Sequence, residues 1–110
     1  MIEVREYLDR NGRSPFARWF DMLSAPAAAK VTTALTRIVR GNWSNVKGVG
    51  GGVFEYRIDF GPGWRVYFGK DGDDVVILLG GGNKKRQNID NNNAMVLWQD
   101  YKQRKSKKGE

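Results

Sequence analysis

Residues 53–68, V-F-E-Y-R-I-D-F-G-P-G-W-R-V-Y-F, constrain the fold of this chain more than any other stretch. Successive side chains of a strand point to opposite faces. Phe54, Tyr56, Ile58 and Phe60 therefore share one face, and Glu55, Arg57 and Asp59 the other. Beyond Gly61-Pro62-Gly63, Trp64, Val66 and Phe68 alternate with Arg65 and Tyr67. The segment reads as a β-hairpin with a three-residue loop. Such a loop pairs Phe60 with Trp64, Ile58 with Val66 and Tyr56 with Phe68. Asp59 then lies across from Arg65, and Arg57 across from Tyr67. A one-residue slip would carry an arginine into the apolar face, so the register reads as well determined. One face is a core face; the other carries two guanidiniums, two carboxylates and a phenol.

The flanking segments complete a small α+β fold. Ile2, Val4 and Leu8 alternate with Glu3, Arg5 and Tyr7 as a first strand, which Asn11-Gly12 ends. Ser14-Pro15 and Ser24 with Pro26 are two helix starts close together. The first helix carries Phe16, Trp19, Phe20 and Leu23. The second carries Val31, Leu35, Ile38 and Val39, and Gly41 stops it. Residues 41–52 read as a Gly- and Asn-rich connector. After the hairpin, Asp71-Gly72 turns the chain into a third meander strand, 74–79, which Gly80, Gly81 and Gly82 break. A last helix starts near Asn88 or Asp90, with Ala94, Leu97, Trp98 and Tyr101 on one side. The order is βααβββα: two layers, a small, mainly antiparallel sheet with helices on one face. Residues 1–100 form one domain, and 101–110 a mobile basic tail.

Composition narrows the function classes. At 110 residues, one domain is expected. No apolar run approaches 18 residues and no signal-peptide pattern opens the chain, so a membrane span is not expected and a cytoplasmic protein is. With neither Cys nor His, thiolate chemistry is excluded and a zinc site is not expected. The net charge is +7, and more than half of it lies in the last ten residues. Such a balance suits nucleic acid or an acidic protein, although a basic end is commonly just solvated.

Two glycine-rich stretches invite a phosphate reading. Gly48 to Gly52 follows a helix and precedes a strand, the reverse of a dinucleotide fingerprint, and reads as a flexible lead-in. Gly80-Gly81-Gly82-Asn83-Lys84-Lys85 lacks P-loop spacing, yet Lys84, Lys85 and Arg86 stand just before a helix start, where a phosphate can be held. Arg57 and Arg65 could be no more than surface ion pairs with Asp59 and Glu55, worth under ~1 kcal/mol each. Their sharing of a face with Tyr67, near the Lys84 loop, makes that face a candidate phosphate and base site.

R-I-V-R-G-N from Arg37, V-K-G-V-G-G-G-V-F-E-Y-R-I from Val46, G-P-G-W-R-V-Y-F from Gly61 and L-L-G-G-G-N-K-K-R-Q from Leu78 carry a resemblance. Over residues 1–100 the chain resembles the RelE/ParE superfamily of type II toxin–antitoxin toxins, in particular its HigB-like (Gp49-like) addiction module killer branch. The resemblance implies a RelE-like fold and a toxin that cleaves mRNA on the ribosome without metal or other cofactor. In that reaction the 2′-hydroxyl attacks the adjacent phosphate. By motif, Lys47, Arg57, Arg65 and Lys84 take the functional positions, with Tyr67, Lys85 and Arg86 as RNA contacts. The proton carrier stays open. Relatives that use His are no guide here; Glu55 is one candidate, and Lys47 or Lys84 the rival, since cationic neighbours favour a neutral amine. The resemblance also implies an antitoxin, a small helix-turn-helix protein from the neighbouring gene, through which the pair would bind operator DNA. The ParE side of the superfamily leaves DNA gyrase inhibition as an alternative, and a non-catalytic binding homologue as another.

Overall fold

A computed structural model describes residues 2–108 of the chain. Its order is β1 (Glu3–Glu6), α1 (Pro15–Asp21), α2 (Ala25–Val39), β2 (Val46–Gly50), β3 (Val53–Arg57), β4 (Arg65–Asp71), β5 (Val75–Gly82), a 3-10 turn (Lys84–Arg86) and α3 (Gln87–Lys108). Both early helices start as their caps dictate. Ser14 and Ser24 accept from the backbone N–H groups of Ala17 and Ala27, at 3.0 and 3.3 Å. Gly41, at φ 79°, ends α2. The five strands form one mixed sheet in the order β1-β5-β4-β3-β2, parallel only between β1 and β5.

The fold is α+β as expected, with three departures. First, the connector holds a fifth strand: β2 pairs with β3 along Val46, Lys47 and Gly48. Gly50, Gly51 and Gly52, all at positive φ, make the turn between them. Second, the helices cover both faces rather than one. Phe16 of α1 and Val31, Ala34 and Ile38 of α2 pack on Tyr56, Val66, Phe68, Val76 and Leu78. Ala94 and Trp98 of α3 pack on Val53, Tyr67, Ile77 and Leu79, which point the other way. Third, the hairpin register is two residues from the expected one. Arg57 pairs with Arg65, Tyr56 with Val66, Glu55 with Tyr67 and Phe54 with Phe68. A shift of two keeps every side chain on its face, so alternation cannot see it. The loop is longer than three residues because β3 stops at Arg57. Beyond it the Ile58 N–H still donates to the Trp64 carbonyl at 2.9 Å. Asp59 is thereby an exposed loop residue and makes no ion pair among the described residues.

β5 runs through Gly80, Gly81 and Gly82 instead of breaking there. A Cβ at Gly81 would collide with the Trp19 indole, and one at Gly82 with the Asp90 carboxylate. These glycines let α1 and α3 lie directly on bare strand. Helix α3 also continues to Lys108, so the basic stretch expected as a mobile tail forms its last turns. Tyr7 donates to Asp100 at 2.6 Å, Tyr101 donates to Asp71 at 2.6 Å, and Arg104 reaches Asp100 at 2.7 Å. Lys105 adds an ion pair to Asp71. The helix end is thus tied to β1 and to the β4–β5 turn.

Candidate functional site

The candidate site lies on the α3 side of the sheet, where successive strands each bring one residue to the same face. Lys47 of β2 stands opposite Glu55 of β3, and Glu55 opposite Tyr67 of β4. In the next row Arg57 stands opposite Arg65, and Arg65 opposite Gly82 of β5. Side chains directly opposite each other lie on one face about 5 Å apart at Cβ. Two arginines side by side would repel, and Glu55 resolves this. Its Oε1 accepts from Arg57 Nε at 2.9 Å and from Arg65 Nη1 at 3.0 Å. Glu55 is 0 % exposed and Arg65 6 %, whereas the Arg57 side chain is 46 % exposed. The row therefore presents one accessible guanidinium, Arg57, backed by a buried carboxylate and a second buried guanidinium.

This differs from the sequence expectation in three respects. Glu55, expected to be a free base, is a buried anchor for both arginines. Arg65, expected at the surface, is almost fully enclosed. Tyr67 is 1 % exposed, with its ring in the core beside Ala94 and Trp98, so it offers no face on which a base could stack. Burial first, then the negative charges of Glu55 and Asp90, push its phenol above the ordinary range.

The remaining cations surround the row. Lys47 is exposed on the edge strand. Lys84, Lys85 and Arg86 are exposed on the 3-10 turn, where Asn83 Oδ1 accepts from the Arg86 N–H at 3.2 Å. The Lys84 N–H donates to the Pro62 carbonyl at 3.3 Å, which seats this turn against the β3–β4 loop. Lys84 follows Gly82, the partner of Arg65, by two residues, so it belongs to the same end of the sheet. Among the described residues no cluster of three or more His, Cys, Asp or Glu is placed to hold a metal ion.

Residues 18–101 match the family described as "Phage derived protein Gp49-like (DUF891)". The chain belongs to this family. The match takes in every strand from β2 to β5, and with them Lys47, Glu55, Arg57, Arg65, Tyr67 and Lys84. An uncharacterized protein of Haemophilus influenzae is 42 % identical over 53 residues, 47 % of this chain and 54 % of that protein. The chain thus spans about half the length of the curated relative it matches.

Asp90 and Trp19 escaped the sequence reading. Asp90 reads there only as a helix-start residue and Trp19 as a core aromatic. Folded, both line a cavity between α1 and α3, next to Tyr67. Burial raises the Asp90 carboxyl above the usual carboxylate range, and Arg86 offsets this in part. No signal in the chain would have paired Asp90 with Gly82, which lies eight residues earlier on another element.

Proposed function

We propose that the protein is the toxin of a toxin–antitoxin pair and acts as a RelE-like endoribonuclease on mRNA at the ribosome. Membership of the Gp49-like family, a toxin-like addiction-module family, supports the toxin role. The observation that carries the chemistry is the Arg57–Glu55–Arg65 constellation, an exposed guanidinium held rigidly by a buried ion pair on a central strand. Preorganised donors of this kind stabilise charge that develops in a transition state. In the proposed reaction the 2′-hydroxyl attacks the neighbouring phosphorus and the 5′-oxygen leaves. Arg57 binds the non-bridging oxygens of the phosphorane. Arg65 and Glu55 set its position and the field around it. Lys47 and Lys84, the exposed amines on either side, supply proton transfer and further positive charge. Lys85 and Arg86 contact neighbouring phosphates. An antitoxin is the implied partner, a small helix-turn-helix protein that covers the basic face and carries the pair to operator DNA.

Primer extension on mRNA after induced expression tests the reading. The parent chain should create new 5′ ends, and Arg57→Ala should reduce them about 10²–10³-fold, as loss of one preorganised donor does elsewhere. Because Arg57 is half exposed, the variant should unfold at nearly the parent temperature. Intact mRNA during growth arrest would end the nuclease reading; loss of gyrase supercoiling activity in the same cells would replace it with gyrase inhibition.

A further inference from the structure

Tyr67 and Asp90 share an unusual condition. The Tyr67 hydroxyl and Asp90 Oδ2 are both buried and have no hydrogen-bond partner among the described residues. Buried polar atoms are nearly always paired, and each orphan costs about 1–3 kcal/mol. Both residues line a cavity of about 390 Å³ between α1 and α3, at the small end of ligand-sized pockets. Its floor is the bare backbone of Gly80 and Gly81, and Trp19, Leu79 and Leu97 wall it. A Cβ at Gly80 would meet nothing within 4 Å, so the floor lies open above that residue.

We infer that this cavity is a pocket for a guanine base, with the Asp90 carboxylate and the Tyr67 hydroxyl reading its edge. A slot bounded by an indole, two leucines and a glycine strand suits a flat ring. The carboxylate at its polar end accepts hydrogen bonds and needs donors. Guanine alone among the four RNA bases presents a ring N–H and an amino group side by side, a match for both oxygens of one carboxylate. Adenine and cytosine set an acceptor nitrogen beside their amino group, and uracil offers a single donor. The Tyr67 hydroxyl supplies a further donor or acceptor. Tyr67 follows Arg65 by two positions on the same face of β4, about 7 Å along the strand. A nucleotide can thus place its base here and its phosphate at the arginines. The inference rests on the RNA reading above and adds to it the base that is selected.

Titration of the purified full chain with the four nucleoside 5′-monophosphates separates the two. The readout is the indole N–H resonance of Trp19, assigned with Trp19→Phe. GMP should shift it saturably, and AMP, CMP and UMP should bind at least tenfold more weakly, the discrimination a bidentate base contact provides. Asp90→Asn should abolish the preference for GMP. Tyr67→Phe, which keeps the packed ring, should fold normally and bind GMP more weakly. The pocket is refuted if GMP gives no saturable shift, if all four nucleotides bind alike, or if the preference survives Asp90→Asn. GMP selectivity without mRNA cleavage supports the pocket and defeats the nuclease reading. Cleavage without GMP selectivity defeats the pocket alone.

Discussion

Glu55 shows how much one side chain decides. Its Oε1 holds two guanidiniums, and Arg65 is enclosed with it. Glu55→Ala leaves a buried cation without its partner, which costs about 3–5 kcal/mol in comparable sites. Arg57→Ala removes a half-exposed partner and should cost under ~1 kcal/mol. Urea unfolding of the two variants should show that gap, and equal midpoints would mean that Glu55 is not a structural anchor. Tyr67→Phe should move the other way. Removing a hydroxyl that has no partner relieves a desolvation cost, so its midpoint should stay level or rise. Strand alternation made it legible that Arg57, Arg65, Glu55 and Tyr67 share a face. It did not reveal that the face is covered. Polar residues alternating with apolar ones look like a solvent face, and only the seating of α3 makes Glu55 and Tyr67 interior.

At the scale of elements, three glycines take the place of side chains. Gly69 lies under the Trp98 ring, Gly81 under Trp19 and Gly82 under Asp90. Gly69→Ala and Gly81→Ala should each overpack a helix–sheet contact and cost about 1–3 kcal/mol, visible as a lower unfolding temperature. Gly72→Ala tests a different effect, since a Cβ there meets nothing and only its φ of 75° resists. It should cost less than Gly81→Ala. In the sequence these glycines looked like punctuation, because a glycine that ends a strand and one that admits an indole are spelled alike. The run from Val75 to Leu79 held a better clue. A strand apolar at every position is covered on both sides, and that pattern already argued against helices on one face. The hairpin misled differently. Its alternation has a period of two, so a shift of two leaves the pattern unchanged while Arg57 moves from opposite Tyr67 to opposite Arg65.

Over the whole molecule, the C-terminal half of α3 is held by groups that titrate. Lys105 first, then Tyr101, hold the Asp71 carboxyl below its usual range, and Tyr7 does the same to Asp100. Carboxyls lowered on folding contribute stability above their unfolded pKa, near ~3.9, and lose it as pH falls through the folded value. Tyr101 behaves oppositely: burial, then its bond to Asp71, raise it to about 12. Its contribution is complete below its unfolded pKa of ~10 and is lost as pH rises toward the folded value. Amide exchange should therefore show the last turns of α3 opening ahead of the sheet at both extremes, and Asp71→Asn should blunt the acid effect. No helix among the described residues is long and apolar enough to cross a membrane. The parallel pairing of β1 with β5 also has a consequence in time. Glu3 lies beside Val75, 72 positions later in the chain. At about 5–20 residues per second, a ribosome finishes β1 some 4–14 s before the neighbour it needs. For that interval the first strand waits unpaired, and the arginine row waits with it for β4. The newborn chain is thus inert until its synthesis is almost over, a delay set by connectivity alone.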